Sequence, residues 1–234
     1  MDKMGSSSKS IETKLRTEPL DNSIVCQYLL IKSYNCLAIN GARPELTHEK
    51  SRKTVIVIVG MPGAGKSLAS SVMKTRKVPV FVSGDIVRTE ARRRNLKFTR
   101  KNLGELMLRL RKEEGMGAVA KRLIPMVEKA ENRFVVYEGA RSVEEVDELR
   151  RRFDVITIAI HASSQARYRR LLRRGRSDRP RGWSDFVERD NRELGVGISK
   201  LIALADRTIE NEDTKADLKR RTKRLLKTIL QAQK

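Results

Sequence analysis

Val55-Ile56-Val57-Ile58-Val59 is an unbroken β-branched run that ends at Gly60, and the residues that follow read Gly60-Met61-Pro62-Gly63-Ala64-Gly65-Lys66-Ser67. A run with no polar alternation is the pattern of a strand buried on both faces of a parallel sheet. The segment after it satisfies Gly-x-x-x-x-Gly-Lys-[Ser/Thr], and a helical stretch opens near Lys66, so the motif stands between a strand and a helix, as a phosphate cradle requires. With ordinary residue usage, a chance match in a chain of this length is on the order of one in a hundred before that context is added.

The chemistry follows from residue type. Glycines at 60, 63 and 65 let the backbone take conformations and a close approach that a Cβ would block, so successive N–H groups can converge on phosphate oxygens. Met61, Pro62 and Ala64 complete the loop, Leu68 continues into the helix, and the helix adds its positive end. Lys66 is the expected catalytic cation, bridging the β- and γ-phosphates of ATP, and the Ser67 hydroxyl is the expected Mg²⁺ ligand.

Further apolar runs recur at Val78-Pro79-Val80-Phe81-Val82, Phe134-Val135-Val136-Tyr137 and Val155-Ile156-Thr157-Ile158-Ala159-Ile160, with a short one at Arg207-Thr208-Ile209. Between them lie helical periodicities. Leu103, Leu106, Met107 and Leu110 share one face, Val143, Val146 and Leu149 another, and Leu218, Leu225, Leu226 and Ile229 line the last helix. Strands alternating with helices predict a P-loop NTPase three-layer α/β sandwich of about five parallel strands with helices on both faces. Residues 54–234 form this domain. Residues 1–53 show no sustained period and read as a basic and polar extension: a disordered tail, a docking arm, or residues upstream of the true start.

Three more segments speak to a second substrate. Ser83-Gly84-Asp85-Ile86-Val87-Arg88 follows the second strand, Glu138-Gly139-Ala140-Arg141 follows the third, and residues 165–174 form an amphipathic helix running into Arg173-Arg174-Gly175-Arg176-Ser177-Asp178-Arg179-Pro180-Arg181. Ser142 and Glu145 predict a capping box at the next helix start. Asp85 reads either as a cap for the helix that starts there or as a base for an acceptor hydroxyl. The first two segments resemble the Ser/Thr-Gly-Asp-x-x-Arg and Asp-Gly-x-x-Arg segments of adenylate kinases. That resemblance implies that Arg88 and Arg141, with Gly139, hold the acceptor's phosphate, and that Glu138, where Asp is usual, holds a Mg²⁺-bound water. The arginine run is similar to a short kinase lid, with Arg173, Arg176 and Arg179 as charge-stabilising candidates and Arg189 of Glu188-Arg189-Asp190 as another. An arginine run is also what a solvated or RNA-facing surface looks like.

Together with Ala118-Val119-Ala120-Lys121-Arg122 and Leu204-Ala205-Asp206, these segments make residues 54–213 similar to an archaeal family of P-loop kinases related to adenylate kinases and dephospho-coenzyme-A kinases. The resemblance implies ATP in the cradle and a nucleotide-like acceptor opposite it. The leading reading is transfer of the ATP γ-phosphoryl group to a nucleoside monophosphate or related nucleotide. The alternatives are an adenylate-kinase-like ATPase in RNA or ribosome assembly and a sugar-hydroxyl kinase of the dephospho-coenzyme-A type. A formal charge of +22, from 51 Lys and Arg against 29 Asp and Glu, favours phosphorylated partners and makes RNA contact an open expectation. Aromatic residues make up only 4%, too few for extensive base stacking. Cys26 and Cys36 support neither a zinc site nor a disulfide framework, so a reducing cytoplasm is the simplest setting. Residues 24–38, interrupted by Gln27, Lys32, Ser33 and Asn35, are too polar for a membrane span.

Overall fold

The structure is a computed structural model that describes residues 52–174 and 179–232. The reading of 1–53 as an extension falls, except for its last two residues, outside the described residues, as do both cysteines and the lid candidate Arg176.

Five parallel strands form one sheet in the order β2-β3-β1-β4-β5, with β1 at Thr54–Val59, β2 at Val80–Val82, β3 at Phe134–Glu138, β4 at Asp154–His161 and β5 at Arg207–Glu210. The β-branched run takes the centre because its residues are apolar on both faces. Val55, Val57 and Val59 pack into one core layer and Ile56 and Ile58 into the other. The helices are α1 (Lys66–Lys74), α2 (Ser83–Arg93), α3 (Arg100–Glu114), α4 (Ala118–Lys129), α5 (Val143–Arg150), α6 (Ser164–Arg173), α7 (Trp183–Gly195), α8 (Ile198–Ala203) and α9 (Lys215–Ala232). Helices α1 and α9 cover the Ile56 face through Val72, Met73, Leu218, Leu226 and Ile229. The opposite face is covered by α2, α3, α4, α5 and α8. The three expected helical stripes all turn inward, with Leu106, Leu110, Val146, Leu149, Leu218 and Leu226 buried.

Three local expectations change. The second strand is shorter than 78–82, because Pro79 has no N–H for the ladder; its carbonyl accepts from Val136 N at 2.8 Å and pairing begins at Val80. The capping box at Ser142 is half formed. Ser142 Oγ accepts from Glu145 N at 3.4 Å, but the Glu145 carboxylate turns into the core, accepting from Tyr137 OH at 2.6 Å and Arg111 Nη2 at 3.2 Å. Asp85 is not a cap: α2 already begins at Ser83, which leaves Asp85 inside the first turn, where its charge complements the helix dipole.

Asp206 of Leu204-Ala205-Asp206 is a structural fastener. Its Oδ2 accepts from Thr157 N at 2.7 Å and Thr157 Oγ1 at 2.6 Å, and Thr157 Oγ1 accepts from Asp206 N at 2.8 Å, joining the start of β5 to β4. Asp206→Ala leaves a buried N–H and hydroxyl unpaired and is expected to lower unfolding free energy by about 1–3 kcal/mol in a urea titration.

Candidate active site

The loop of residues 60–65 joins β1 to α1 with Gly60, Gly63 and Gly65 at positive φ. Space as well as conformation requires all three glycines: a Cβ at Gly60 would strike the Ile160 carbonyl oxygen. A Cβ at Gly63 would lie 2.8 Å from the Arg167 carbonyl, and one at Gly65 would strike the Asn211 amide and lie 2.9 Å from Leu218 Cδ2. Two props hold the loop from outside. Asn211, after β5, is buried and donates to Ala64 O at 2.7 Å. Arg167 of α6, only 5% exposed, donates to Pro62 O at 3.2 Å and Ala162 O at 3.2 Å while its fork holds Asp190 of α7, with Nη1 to Oδ1 at 2.9 Å. The Arg167 guanidinium also stacks over Phe186, 5.0 Å from the ring centroid, and Phe186 packs against Tyr168 and Trp183 with centroids 5.4 and 5.1 Å away.

Lys66 Nζ donates to Gly60 O at 2.6 Å and Met61 O at 3.2 Å. Burial pulls its ammonium down from the usual 10.5 to about 8; Glu193 and Glu138 work against this, and Arg141 and Arg174 work with it. Ser67 Oγ donates to Glu138 Oε1 at 2.7 Å, so the hydroxyl and the longer carboxylate meet although they come from different elements. Oxygen donors of this kind suit a hard cation held mainly by phosphates and water. Among the described residues no cluster of three His, Cys, Asp or Glu forms a metal cage. Ser67 Oγ and the Glu138 carboxylate are the oxygen donors beside the cradle that could hold such a cation.

Two cavities meet beside the cradle. The smaller, about 160 Å³, is lined by Gly60, Gly63, Lys66, Gly139, Arg141 and Arg174, with Arg189 and Glu193. The larger, about 540 Å³, has an apolar wall of Val87, Leu103, Met107, Leu108 and Val196 and carries Arg88, Arg111, Arg141, Arg189 and Glu193. Arg88 and Arg141, far apart in sequence, thus line one cavity. Arg141 Nε donates to Glu193 Oε2 at 2.7 Å. Although burial works to lower its pKa, the Glu193 carboxylate raises it above the usual guanidinium value. Arg88 pairs with Asp85 on the surface, their side chains 50% and 67% exposed. Asp85 does not line the cavity.

The lid arginines divide. Arg173 and Arg179 are exposed and line neither cavity, whereas Arg174, one residue past the end of α6, faces the cradle. The one-residue shift follows from α6 itself, whose apolar face, with Ala166 and Leu171 buried, turns Arg173 outward. Sequence reasoning missed Arg111, Arg167, Asn211, Asp190 and Glu193. Asp190 alone stands in a segment read above, Glu188-Arg189-Asp190, where only Arg189 is given a role; the other four stand in no motif.

Residues 59–185 match the model of a family described as AAA domain. The UPF0200 protein PH1008 of Pyrococcus horikoshii is 42% identical over 181 residues, covering 75% of this chain and 97% of that protein. The UPF0200 protein of Hyperthermus butylicus is 39% identical over 179 residues, covering 76% and 96%. The chain belongs to the UPF0200 family. Among solved structures, TT1252 from Thermus thermophilus shares a TM-score of 0.57 at 18% identity, covering 76% of the UPF0200 chain and 98% of its own. A shikimate kinase from Bacteroides thetaiotaomicron shares 0.53 at 18%, covering 74% and 98%. Both likenesses establish the P-loop kinase-like fold of this UPF0200 protein. Among its described residues no helix is long and apolar enough to cross a membrane.

The Arg167–Asp190 pair yields a stability prediction for the UPF0200 fold. Arg167→Ala strands a largely buried carboxylate and is expected to cost about 3–5 kcal/mol, whereas the double variant Arg167→Ala/Asp190→Asn recovers part of the loss; paired urea titrations measure both.

Proposed function

We propose that this protein is a phosphotransferase that moves the ATP γ-phosphoryl group to a nucleoside monophosphate or a closely related phosphate monoester. The observation that carries the reading is the junction of the two cavities: Arg141, Arg189 and Glu193 line both, so a phosphate in the cradle and an acceptor in the larger cavity would meet there. A volume of about 540 Å³ suits a nucleotide-sized ligand, with its base against Val87, Leu103, Met107 and Val196 and its phosphate toward Arg88 and Arg141. Arg111 adds a buried Nε–H with no hydrogen-bond partner at the wall of this cavity.

In the proposed transfer an acceptor phosphate oxygen forms the new bond to the γ-phosphorus, and the bond to the β–γ bridging oxygen breaks, leaving ADP. A phosphate monoester is already ionised near neutral pH, so the step needs no protein base. Lys66 and the cradle N–H groups stabilise charge on the departing oxygen, and Arg141 and Arg174 stabilise charge on the equatorial oxygens. A Mg²⁺ ion held with the help of Ser67 and Glu138 would supply further neutralisation of phosphate charge. The surface position of Asp85, paired with Arg88, favours this chemistry over the hydroxyl-kinase alternative.

A specific observation keeps an RNA-linked ATPase as the second reading. Lys219, Lys223 and Lys227 recur every four residues along the exposed side of α9, with Arg220 and Arg224 beside them. Incubation with Mg-ATP and a panel of nucleoside monophosphates separates the two. The kinase reading expects ADP and phosphorylated acceptor in equal amounts, and Arg88→Ala is expected to lower kcat/KM for the acceptor by about a hundredfold while leaving ATP binding intact. Acceptor-independent hydrolysis stimulated by RNA would replace it with the ATPase reading.

The lysine titration has a direction. Lys66 is charged below about pH 8 and binds phosphate best in that form, and a bound triphosphate holds the proton on. ATP affinity is therefore expected to be nearly flat below pH 8 and to fall by about tenfold by pH 9. Lys66→Met is expected to bind more weakly and to lose this slope in calorimetric titrations across the range.

A further inference from the structure

The junction between the cavities holds one carboxylate among otherwise cationic and neutral groups. Glu193, on the last turn of α7, is the only acidic residue among those described that line the smaller cavity; Lys66, Arg141, Arg174 and Arg189 line the same space. Its side chain is 18% exposed, and both of its oxygens face the Arg141 guanidinium, at 2.7 Å from Nε and 3.5 Å from Nη2. A carboxylate on the side of a guanidinium fork takes the place that two oxygens of a phosphate would take. Glu138, the other carboxylate near the cradle, is engaged by Ser67, so it does not compete for Arg141.

Resting on the phosphotransferase reading, we propose that Glu193 is a built-in placeholder for the acceptor's phosphate, holding Arg141 until a phosphate monoester dianion displaces it. The exchange requires a stronger anion than a single carboxylate. A dianion with three acceptor oxygens meets that requirement; water and neutral alcohols do not. With ATP alone in the cradle, Glu193 keeps Arg141 neutralised, so a water molecule near the γ-phosphate gains no help from that cation. The placeholder thus turns the clamp into a selector for phosphorylated acceptors. Glu193 acts through Arg141 and is a positioning residue. Arg189 lies one turn before it, so displacement of Glu193 by phosphate acts on a helix that carries a second cation of the junction.

The test uses the full chain with its cradle saturated by Mg-ADP and inorganic phosphate as the probe, followed by calorimetry. Removing the competing charge in Glu193→Gln is expected to tighten phosphate binding by about tenfold, and Arg141→Ala in the same background is expected to abolish the gain. Glu193→Asp, which keeps the charge, is expected to bind phosphate no more tightly than the wild type and guards against a folding artefact in the Gln variant. In acceptor-free assays Glu193→Gln is also expected to hydrolyse ATP faster. Unchanged or weaker phosphate binding in Glu193→Gln, with Arg141→Ala still weakening it, would overturn the placeholder and leave Arg141 as the clamp. Phosphate binding indifferent to Arg141→Ala would remove the clamp itself, and with it both this proposal and the acceptor site on which it rests.

Discussion

The buried pair of Arg167 and Asp190 is the constraint on which the site's geometry depends. One guanidinium touches the phosphate loop at Pro62, the strand end at Ala162 and the helix α7 at Asp190, and lies over the Phe186 ring. Removing a charge from water is costly, and this pair recovers the cost because nearly every donor of the fork has an acceptor. The consequence is mechanical. Since α7 also carries Arg189 and Glu193, the helix that lines the larger cavity is fastened to the glycine-rich loop between β1 and α1.

Around that frame the electrostatics are arranged for anions. Lys66, Arg141, Arg174 and Arg189 converge on a small space, and burial, with Arg141 and Arg174 nearby, lowers the Lys66 ammonium to about 8. Glu145 answers the same problem differently one layer below. Burial raises its pKa, while Tyr137 and Arg111 hold its carboxylate. Arg111 reaches from that buried acid to the wall of the larger cavity, so that wall is braced by a polar network inside the core.

Legibility in the sequence followed the range of the interactions. The central strand, the cradle and the three helical stripes are local patterns, written in consecutive β-branched residues, in a glycine-spaced loop and in apolar periods of three and four. Arg88 and Arg141 each belong to a short segment that follows a strand, and the structure brings both to the wall of one cavity. Arg167 pairs with a residue 23 positions away, Asn211 reaches back 147 positions to Ala64, and Arg141 finds Glu193 52 positions on. No local pattern encodes such pairs, since an Arg or Glu on an amphipathic helix looks the same whether it meets water or a buried partner. Arg173 and Arg174 show the limit at its sharpest: both are arginines in one run, and only the rotation of α6 decides which faces the cradle.

The departure at Glu138 shows how a changed residue can keep a geometry. A glutamate in place of the expected aspartate adds a methylene at the end of β3, which lies between the edge strand β2 and the central strand β1. Here Gly139 follows at a φ of +95° and donates its N–H to Ile58 O at 3.0 Å, which ties the strand end to the centre of the sheet. With the backbone so placed, the longer side chain ends 2.7 Å from the Ser67 hydroxyl. The turn conformation and the carboxylate length therefore act together, and the glycine after the acid is part of the same device as the acid.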